Sequence, residues 1–296
     1  MSKGIFVGLA TIDLVYEVDE FPVSDSKITA RSQSVIVGGP ATNAAITFRH
    51  LGGEPTLITG LGRHPLADLI REDLDRYKIR LIDLNPDSSE VPVLSAVAIN
   101  VAGQRNVISA NALGIRLPPV EVDAGELASA SILMVDGHFM PACQAWAGAA
   151  KQLGIRVVLD GGSWKDGMDA LLGSVDTAVC SADFRVPEQT GPGLVVEFLR
   201  SRGIGEVAVT AGSQPIRWAT EYESGITPVP EVPVVDTMGA GDILHGAFCW
   251  FAVRNFTFPQ ALERAAAFAS ESCRFRGTRE WMIRPGPAPG QSTPHL

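Results

Sequence analysis

The sequence predicts an α/β fold in which a doubly wound, mostly parallel β-sheet lies between layers of helices and carries a small β-sheet as a lid. Three observations support this prediction. From residue 56 onward, short apolar runs alternate with helix-length segments, as in βαβ units. Before that point, strand-like segments precede any helix. With 296 residues, of which 46% are hydrophobic, the chain is long enough to bury such a core.

The first predicted element is a buried parallel strand over residues 5–12, an apolar run that contains one glycine. Asp13 follows it directly. Because open α/β sheets bind ligands at the carboxyl ends of their strands, Asp13 is a candidate ligand contact. A carboxylate that merely marks the exit from strand to loop explains the residue equally well.

Further strand-like segments predict a small sheet that is separate from the main body. Residues 27–37 alternate in part between polar and apolar side chains, as a sheet with one solvated face requires. Residues 91–101 and 105–109 are also strand-like, and a turn at residues 102–104 joins them. We expect these lid strands, within about 14–37 and 91–110, to cover a site in a single domain of residues 1–284.

A helix is predicted directly after the first lid segment. Gly39 belongs to a glycine pair that lets the backbone approach another group closely, and Pro40 suits a first helical turn. Gly52 and Gly53 end this helix. Asn43 falls in its opening turn, where the side-chain amide can both donate to and accept from a sugar hydroxyl. A capping or solvated asparagine is the competing interpretation.

The remaining elements alternate between strands and helices, and right-handed crossovers would join the strands into one doubly wound sheet. The predicted strands are residues 56–61, 131–135, 155–159, 175–180 and 207–210. The predicted helices are residues 65–77, 140–153, a segment within 193–202, 239–253 and 259–274. Residues 285–296 are rich in proline and glycine, which predicts a loose tail.

The strongest functional pattern is residues 235–242 (VDTMGAGD), which a helix-length apolar run follows. A turn of Gly239, Ala240 and Gly241 at a helix N-terminus points backbone N–H groups outward, and this arrangement binds anions. Asp242 stands beside it as an acid that can take a hydroxyl proton during phosphoryl transfer. The P-loop and the GxGxxG dinucleotide motif are both absent from the sequence.

Composition argues against several other classes of protein. A net charge of −9 and a pI near 5.1 disfavour a nucleic-acid-binding surface. The four cysteines lie far apart and form no CxxC pair, which disfavours a zinc site or a disulfide framework. No signal-peptide pattern and no apolar run of membrane-spanning length occur in the sequence. We therefore expect a cytoplasmic protein that binds neither nucleic acid nor membranes.

Two stretches resemble the signatures of the ribokinase, or PfkB, family of carbohydrate and nucleoside kinases. Residues 236–242 (DTMGAGD) resemble the C-terminal signature, and residues 38–45 (GGPATNAA) resemble the N-terminal one, in the family's order and about two hundred residues apart. The resemblance covers nearly the whole chain. Residues 21–43, 100–106 and 235–242 are most similar to ketohexokinase and its bacterial sugar-kinase relatives. The resemblance implies a ribokinase-like fold with a β-sheet lid.

The resemblance also implies roles for individual residues. The implied contacts to sugar hydroxyls are Asp13, Gly39 and Asn43. Asp242 would be the catalytic base, and the backbone of Gly239, Ala240 and Gly241 would form the anion hole. Arg105, in the lid turn, would lie near the acceptor or the transferring phosphate, although a solvated arginine explains it equally well.

For the nucleotide, the strand and turn that end at Gly212 resemble the family's nucleotide-binding segment, which places Thr210 and Gly212 near ATP. Many family members carry Asn-x-x-Glu before these strands to organise Mg²⁺, but residues 181–184 (SADF) stand there instead. Asp183 or Glu188 acting through water, and Mg²⁺ held mainly by ATP, are both open. The metal ligands are unassigned, and a monovalent cation is a further open cofactor.

The sequence therefore predicts an ATP- and Mg²⁺-dependent kinase that phosphorylates a primary hydroxyl of a ketose or a related small sugar. A nucleoside kinase of the same fold is an alternative. A nucleoside base needs an apolar or aromatic slot, and Val35, Ala98 and Phe139 could line either a sugar or a nucleoside pocket. A non-catalytic sugar- or nucleotide-binding regulator is another alternative; the altered residues 181–184 favour it, and the intact Gly-Ala-Gly-Asp argues against it. By analogy with the family, a homodimer formed through the lid is also expected.

Overall fold

A computed structural model describes residues 2–187 and 192–283. The strands are β1 (Lys3–Val7), β2 (Thr11–Glu17), β3 (Ser32–Gly38), β4 (Glu54–Thr59), β5 (Arg80–Asp83), β6 (Leu94–Ile99), β7 (Arg105–Ser109), β8 (Ile132–Val135), β9 (Arg156–Gly161), β10 (Thr177–Ser181), β11 (Glu206–Ala211), β12 (Gln214–Ala219) and β13 (Ser224–Thr227). The helices are α1 (Pro40–His50), α2 (Ala67–Arg76), α3 (Ala124–Ala128), α4 (Met140–Gln152), α5 (Met168–Leu172), α6 (Pro192–Ser201), α7 (Ala240–Ala252) and α8 (Phe258–Ser272), and a 3₁₀ turn spans Glu280–Met282.

The main sheet has nine strands in the order β13-β12-β11-β10-β9-β8-β1-β4-β5. The strands from β11 to β5 are parallel, and at one edge β12 pairs antiparallel with both β11 and β13. The chain builds outward from β1 in both directions, through β4 and β5 on one side and β8 to β11 on the other. The predicted doubly wound α/β class is therefore confirmed, and its switch point lies beside β1, where such sheets bind ligands.

Helices cover both faces of this sheet, and each face has its own apolar core. One core packs α1, α2, α7 and α8 against the sheet, with Phe48 and Phe248 fully buried. The other packs α4, α5 and α6 against the opposite face, with Trp146 fully buried. The central strands explain this arrangement, because runs such as β8 (ILMV) bury every side chain and need apolar partners on both sides.

A second sheet of four strands, in the order β3-β2-β6-β7, lies apart from the main one. It is mixed, because β2 and β6 pair in parallel while the other pairs are antiparallel. The predicted turn at residues 102–104 joins β6 to β7, with Gly103 in the left-handed region at φ 74°. The outer face of this sheet exposes apolar side chains, including Val35 at 59% and Ile108 at 77%.

The prediction of one strand over residues 5–12 is wrong. The run divides between the two sheets, and Asp13 lies within β2 of the second sheet instead of at the end of β1. The crossing is held by Asp136, whose Oδ2 accepts from the backbone N–H of Leu9 at 2.8 Å. Beyond it, the Ile12 N–H donates to the Val93 carbonyl at 2.9 Å and so enters the second sheet.

The structure also bears on short elements that the sequence did not predict, on the cysteines and on the C-terminal tail. Five short strands and helices were not predicted, namely β5, β12, β13, α3 and α5. All four cysteines are free thiols, and three of them are buried. Within the described ranges, no helix is long and apolar enough to cross a membrane. The predicted loose tail, residues 285–296, lies outside the described residues.

Candidate active site

The predicted anion-binding turn is the N-terminus of α7. Gly239 is the N-cap with φ 67°, a left-handed conformation that glycine adopts without strain. The Asp236 carboxylate fixes the turn by accepting from the backbone N–H of Met238 at 2.9 Å and of Gly277 at 2.8 Å. At Gly241, no described atom outside the neighbouring residues and the nearby backbone of α7 lies within 4 Å of the position that a Cβ would take. The Ala240 N–H makes a long hydrogen bond of 3.3 Å to the Thr237 carbonyl, and the N–H groups of this turn border a space that an anion can enter.

Asp242 and Asn43 are joined by a hydrogen bond across 199 sequence positions. Asn43 lies in the first turn of α1 and donates from Nδ2 to Oδ2 of Asp242, in the first turn of α7, at 2.6 Å. Burial raises the pKa of Asp242 to about 7, and the charge of Asp160 adds to this, while the Asn43 hydrogen bond and His245 act in the opposite direction. The carboxyl therefore titrates near neutral pH, although part of the residue still faces the solvent.

A cavity of about 230 Å³ opens between this pair and the inner face of the second sheet. The structure brings six of the predicted site residues into its wall: Asp13, Gly39, Asn43, Arg105, Gly239 and Asp242. Further polar side chains there are Ser95, Ser109, Asn111 and His138. The wall therefore combines carboxylate, amide and hydroxyl groups with one guanidinium, which are the groups that hydrogen-bond to a polyhydroxylated ligand.

Three residues that were candidates for a base-binding slot do not line this cavity. Val35 lies on the outer face of the second sheet, and Ala98 lines a different, larger cavity on that outer side. Phe139 is buried in the core of the main sheet. The three side chains that could have lined either a sugar or a nucleoside pocket therefore lie outside this cavity, because alternation along the strands directs Val35 and Ala98 to the opposite face of the sheet.

The close approach predicted for the glycine pair is confirmed. A Cβ on Gly39, whose φ is 100°, would lie 2.3 Å from the backbone oxygen of Leu9. A Cβ on Gly38 would lie 2.3 Å from Oδ2 of Asp13. Thr11 Oγ1 donates to Oδ1 of Asp13 at 2.9 Å. Burial raises the pKa of Asp13, and the hydrogen bonds to its carboxyl only partly oppose this shift. Because Gly38 has no side chain, this partly buried carboxyl has room on the cavity wall.

The two predicted nucleotide residues lie outside this cavity, at the end of β11. Thr210 Oγ1 donates to the Cys180 carbonyl at 3.4 Å, which ties β11 to β10. Gly212 adopts φ 58° in the turn that leads into the antiparallel β12. The second turn of α7 packs next to β10, because His245 Nε2 lies 2.9 Å from the Val179 carbonyl of that strand. The carboxyl end of β11 is therefore one strand further from the anion-binding turn.

Sequence reasoning missed Asp136 and His138, which lie at the end of β8. Asp136 accepts from the backbone N–H of Leu9 at 2.8 Å and of Ala41 at 3.3 Å, so one carboxylate holds both the strand crossing and the start of α1. His138 lines the cavity, and burial lowers its pKa. A signal for Asp136 was available, because it follows the apolar run of β8 directly, as Asp13 follows its own run.

A second missed pair lies behind the anion-binding turn. Asp160, in β9, has Oδ2 at 3.5 Å from Nδ1 of His245 in α7. That nitrogen also lies 2.7 Å from the Gly241 carbonyl, so the imidazole contacts the turn itself. Burial raises the pKa of Asp160, and His245 opposes that shift. The pair thus contributes charge close to Asp242 without lining the cavity.

Arg279 is a further missed residue, and no motif in the sequence marks it. Its Nη1 donates to Oδ1 of Asn43 at 2.7 Å, on the side of the amide opposite to Asp242. The side chain is 15% exposed. It lies between the predicted last helix and the predicted tail, in a stretch for which the sequence predicted no element.

No metal centre is evident in the part of the chain that is described. Ser181 Oγ donates to the Gly162 carbonyl at 2.9 Å and accepts from the Asp183 N–H at 3.1 Å, and the Asp183 side chain is exposed. Glu188 lies outside the described residues. Across residues 2–187 and 192–283, no group of three or more His, Cys, Asp or Glu side chains is placed to hold a metal ion.

Comparisons with known proteins agree with this architecture. The family described as "pfkB family carbohydrate kinase" matches residues 1–284. The deoxyribokinase of Salmonella typhi is 22% identical over 290 residues, which cover 92% of this chain and 93% of that protein. The structure of a ribokinase from Thermotoga maritima superimposes with a TM-score of 0.78 at 21% identity, covering 96% of this chain and 98% of that one.

A second solved structure is that of Arabidopsis thaliana ribokinase in complex with ribose and ATP. It superimposes with a TM-score of 0.76 at 24% identity, covering 93% of each chain. These structures share the fold, and the family match spans both signature stretches and the strands between them. The chain therefore belongs to the pfkB family of carbohydrate kinases, phosphotransferases that act on sugar hydroxyls.

Proposed function

We propose that this chain transfers the γ-phosphoryl group of ATP to a primary hydroxyl of a small sugar, a ketose or a related carbohydrate. One observation carries the proposal: the Asp242 carboxyl, with its pKa raised to about 7, lies between a polar cavity and the anion-binding turn of α7. A base for this reaction must reach the acceptor hydroxyl and stand beside the transferring phosphate, and Asp242 satisfies both conditions.

In the proposed reaction, Asp13 and Asn43 hydrogen-bond to hydroxyls of the acceptor and orient it. Asp242 accepts the proton of the reacting hydroxyl as its oxygen bonds to the γ-phosphorus of ATP. The bond from that phosphorus to the β,γ-bridging oxygen breaks, and ADP leaves with the electron pair. Backbone N–H groups of Gly239, Ala240 and Gly241 hydrogen-bond to the transferring phosphoryl oxygens, where negative charge is concentrated.

The second sheet supplies the remaining requirement, exclusion of water. Water competes with the sugar as an acceptor, so a kinase gains from covering the site during transfer. We place Arg105, at the start of β7 on the cavity wall, over the acceptor. We place ATP across the carboxyl end of β11, with Thr210 and Gly212 as its contacts, so that its γ-phosphate reaches the turn of α7.

Mg²⁺ would neutralise charge on the β- and γ-phosphates of ATP. The described residues offer no cluster of acidic side chains to hold the ion, so we propose that it enters with the nucleotide. No protein ligand is assigned to it. The proposed catalytic steps of this chain therefore rest on Asp242, Asn43 and the α7 turn.

The dimensions of the cavity favour a small sugar over a nucleoside as the acceptor. Its volume of about 230 Å³ lies below the roughly 300–1,000 Å³ typical of sites for larger ligands. A nucleoside adds a purine or pyrimidine ring to the pentose and needs an apolar slot for it. Among the described residues that line the cavity, none is Phe, Tyr or Trp.

The test is a phosphoryl-acceptor screen with the purified chain, ATP and Mg²⁺, with and without K⁺, over a panel of ketoses, aldoses and nucleosides. We expect turnover with a small sugar and its loss in Asp242→Asn, with ATP binding retained in both proteins. Turnover confined to nucleosides would support the alternative kinase. Binding of ATP and sugar by both proteins with no turnover in either would instead identify a regulator.

A further inference from the structure

Arg279 is a buried cation that joins separate parts of the chain around the proposed base. Its Nη1 donates to Oδ1 of Asn43 at 2.7 Å and to Oγ1 of Thr278 at 2.8 Å, and its Nη2 donates to the Val37 carbonyl at 3.2 Å. Oδ2 of Asp73, in α2, lies 3.5 Å from the same Nη2. One guanidinium therefore contacts α1, α2, the end of β3 and the segment that precedes the 3₁₀ turn.

The contact to Asn43 decides which way that amide faces. An asparagine side chain has one accepting oxygen and one donating nitrogen, and rotation by half a turn exchanges them. With Oδ1 toward Arg279, Nδ2 faces Asp242 at 2.6 Å. The rotated amide would place Nδ2 against a guanidinium, which only donates, and Oδ1 against a carboxylate, which only accepts when it is ionised. Both contacts would then be repulsive.

We infer that Arg279 is a positioning residue for the phosphoryl-transfer site: it locks the Asn43 amide so that this side chain always donates to Asp242. The inference rests on the proposed function, in which Asp242 is the base. The same guanidinium holds the Val37 carbonyl, one residue before Gly38 and the glycine pair. The strand that carries the second sheet toward the cavity is therefore anchored to the cation that orients the amide beside the base.

The pH dependence of activity reports on this arrangement. The charged groups that act on Asp242 come from several elements: Asp136 at the end of β8, Asp160 in β9, His245 in α7, and Arg279, which acts both by its charge and through Asn43. The Asn43 hydrogen bond favours the ionised carboxylate and so lowers the pKa of Asp242. Without Arg279 the amide is free to rotate, this hydrogen bond weakens, and Asp242 takes up its proton at a higher pH.

The test compares Arg279→Met with the parent and with a matched control. Because removing Arg279 leaves Asp73 partly buried without its cation, Arg279→Met/Asp73→Asn is made as well. The control is Arg276→Met, since Arg276 lies in the same segment, is 70% exposed and pairs with Glu17 at 2.6 Å. Titration of the Asp242 carboxyl by ¹³C NMR, assigned with Asp242→Asn, is measured together with the pH profile of kcat.

We expect the midpoint of the Asp242 titration and the acidic limb of kcat to move upward together, by about 0.5 to 1 pH unit, in the Arg279 variants. The kcat at pH 7 should fall on the order of 10-fold while the KM for ATP stays constant. Arg276→Met should match the parent. In an Asn43→Ala background, where the amide is already absent, Arg279→Met should produce only the smaller upward shift that comes from losing the direct charge interaction between Arg279 and Asp242.

Two results would overturn the inference: an unchanged Asp242 midpoint in Arg279→Met/Asp73→Asn, or a shift in the Asn43→Ala background that is as large as the shift in the parent background. The parent alone gives a third measurement that needs no variant. Its Asn43 side-chain amide protons should shift with the same midpoint as the Asp242 carboxyl, and independent midpoints would also overturn it. The NMR readouts do not require turnover, so a shift seen in a protein that phosphorylates no sugar would support the positioning role and reject the proposed function.

Discussion

Replacing Asp242 with asparagine should make the protein more stable at alkaline pH while it abolishes phosphoryl transfer. The folded state raises the pKa of this carboxyl from 3.8 to about 7, chiefly through burial, so the ionised form that a base requires is the form that folding disfavours. Asparagine keeps an oxygen that can accept from Asn43 Nδ2 and carries no charge. The substitution therefore removes a cost of folding and leaves the hydrogen bond in place.

The sign and size follow from proton linkage. The folded carboxyl holds its proton more tightly than the unfolded one, so this group contributes most to stability below pH 4 and loses that contribution as the pH rises to about 7. The difference between 3.8 and about 7 corresponds to roughly 4 kcal/mol at pH 8. Because part of Asp242 faces water in the cavity, we expect a gain of about 2–4 kcal/mol for Asp242→Asn.

Urea unfolding of parent and variant at pH 4.5 and pH 8 measures this gain. The partly buried Asp13 carboxyl is present in both proteins, so its own pH effect cancels in the comparison. The charge repulsion between Asp160 and Asp242 is lost in the variant and is part of the measured gain. Asp75→Asn is the matched control, because Asp75 lies exposed on α2 and should show the same difference from the parent at both pH values. A variant that is no more stable than the parent at pH 8 would refute the reasoning that burial penalises the charged base.

Further substitutions separate stability from activity. Gly241→Ala should raise the free energy of unfolding by up to about 1 kcal/mol, because the helix gains an alanine with free space around its methyl group, yet lower kcat on the order of 10-fold because that methyl enters the anion site. Gly239→Ala should cost about 1–2 kcal/mol because φ is 67°, and thermal denaturation with the kinase assay checks both glycines. Arg105→Met should raise the KM for the sugar several-fold in steady-state kinetics and leave the melting temperature unchanged, since this exposed side chain lines the cavity. Val35→Glu and Ile108→Glu should yield monomers in light scattering if the outer face of the second sheet joins two subunits, and an unchanged mass would reject that interface.

The parallel strands were predictable because their burial on both faces leaves a continuous apolar run, as in β8. The antiparallel edge was not. In β12 only Ile216 and Trp218 are buried, and the remaining residues are polar or partly exposed, so the segment lacks the apolar run of a central strand. The change of sheet after β1 was hidden for the opposite reason. Leu9 and Ala10 are both buried where the chain crosses between sheets, so the apolar run continues without a break.

Site residues were predictable where a local backbone requirement produced them. Gly39 and Gly239 each have a positive φ and a close neighbour, and both requirements appear as glycine in a short motif. Asp136 and Asp160 were within reach, because each follows an apolar strand run. Arg279 was not, since its partners come from segments up to 242 positions away and nothing in its own surroundings along the chain specifies them.

The separation between Asn43 and Asp242 is determined by how closely α1 and α7 pack. Gly246, which lies outside both signature stretches, controls this packing. A Cβ on Gly246 would lie 2.3 Å from the Ala44 carbonyl and 2.8 Å from Cβ of Thr47, so the two helices touch through backbone at this level. Gly246 lies one turn after Asp242, and Ala44 directly follows Asn43. Any side chain at position 246 forces the helices apart just below the hydrogen bond of 2.6 Å between donor and base. The glycine therefore serves the proposed chemistry through packing, because it brings two first turns from distant parts of the chain within hydrogen-bonding distance.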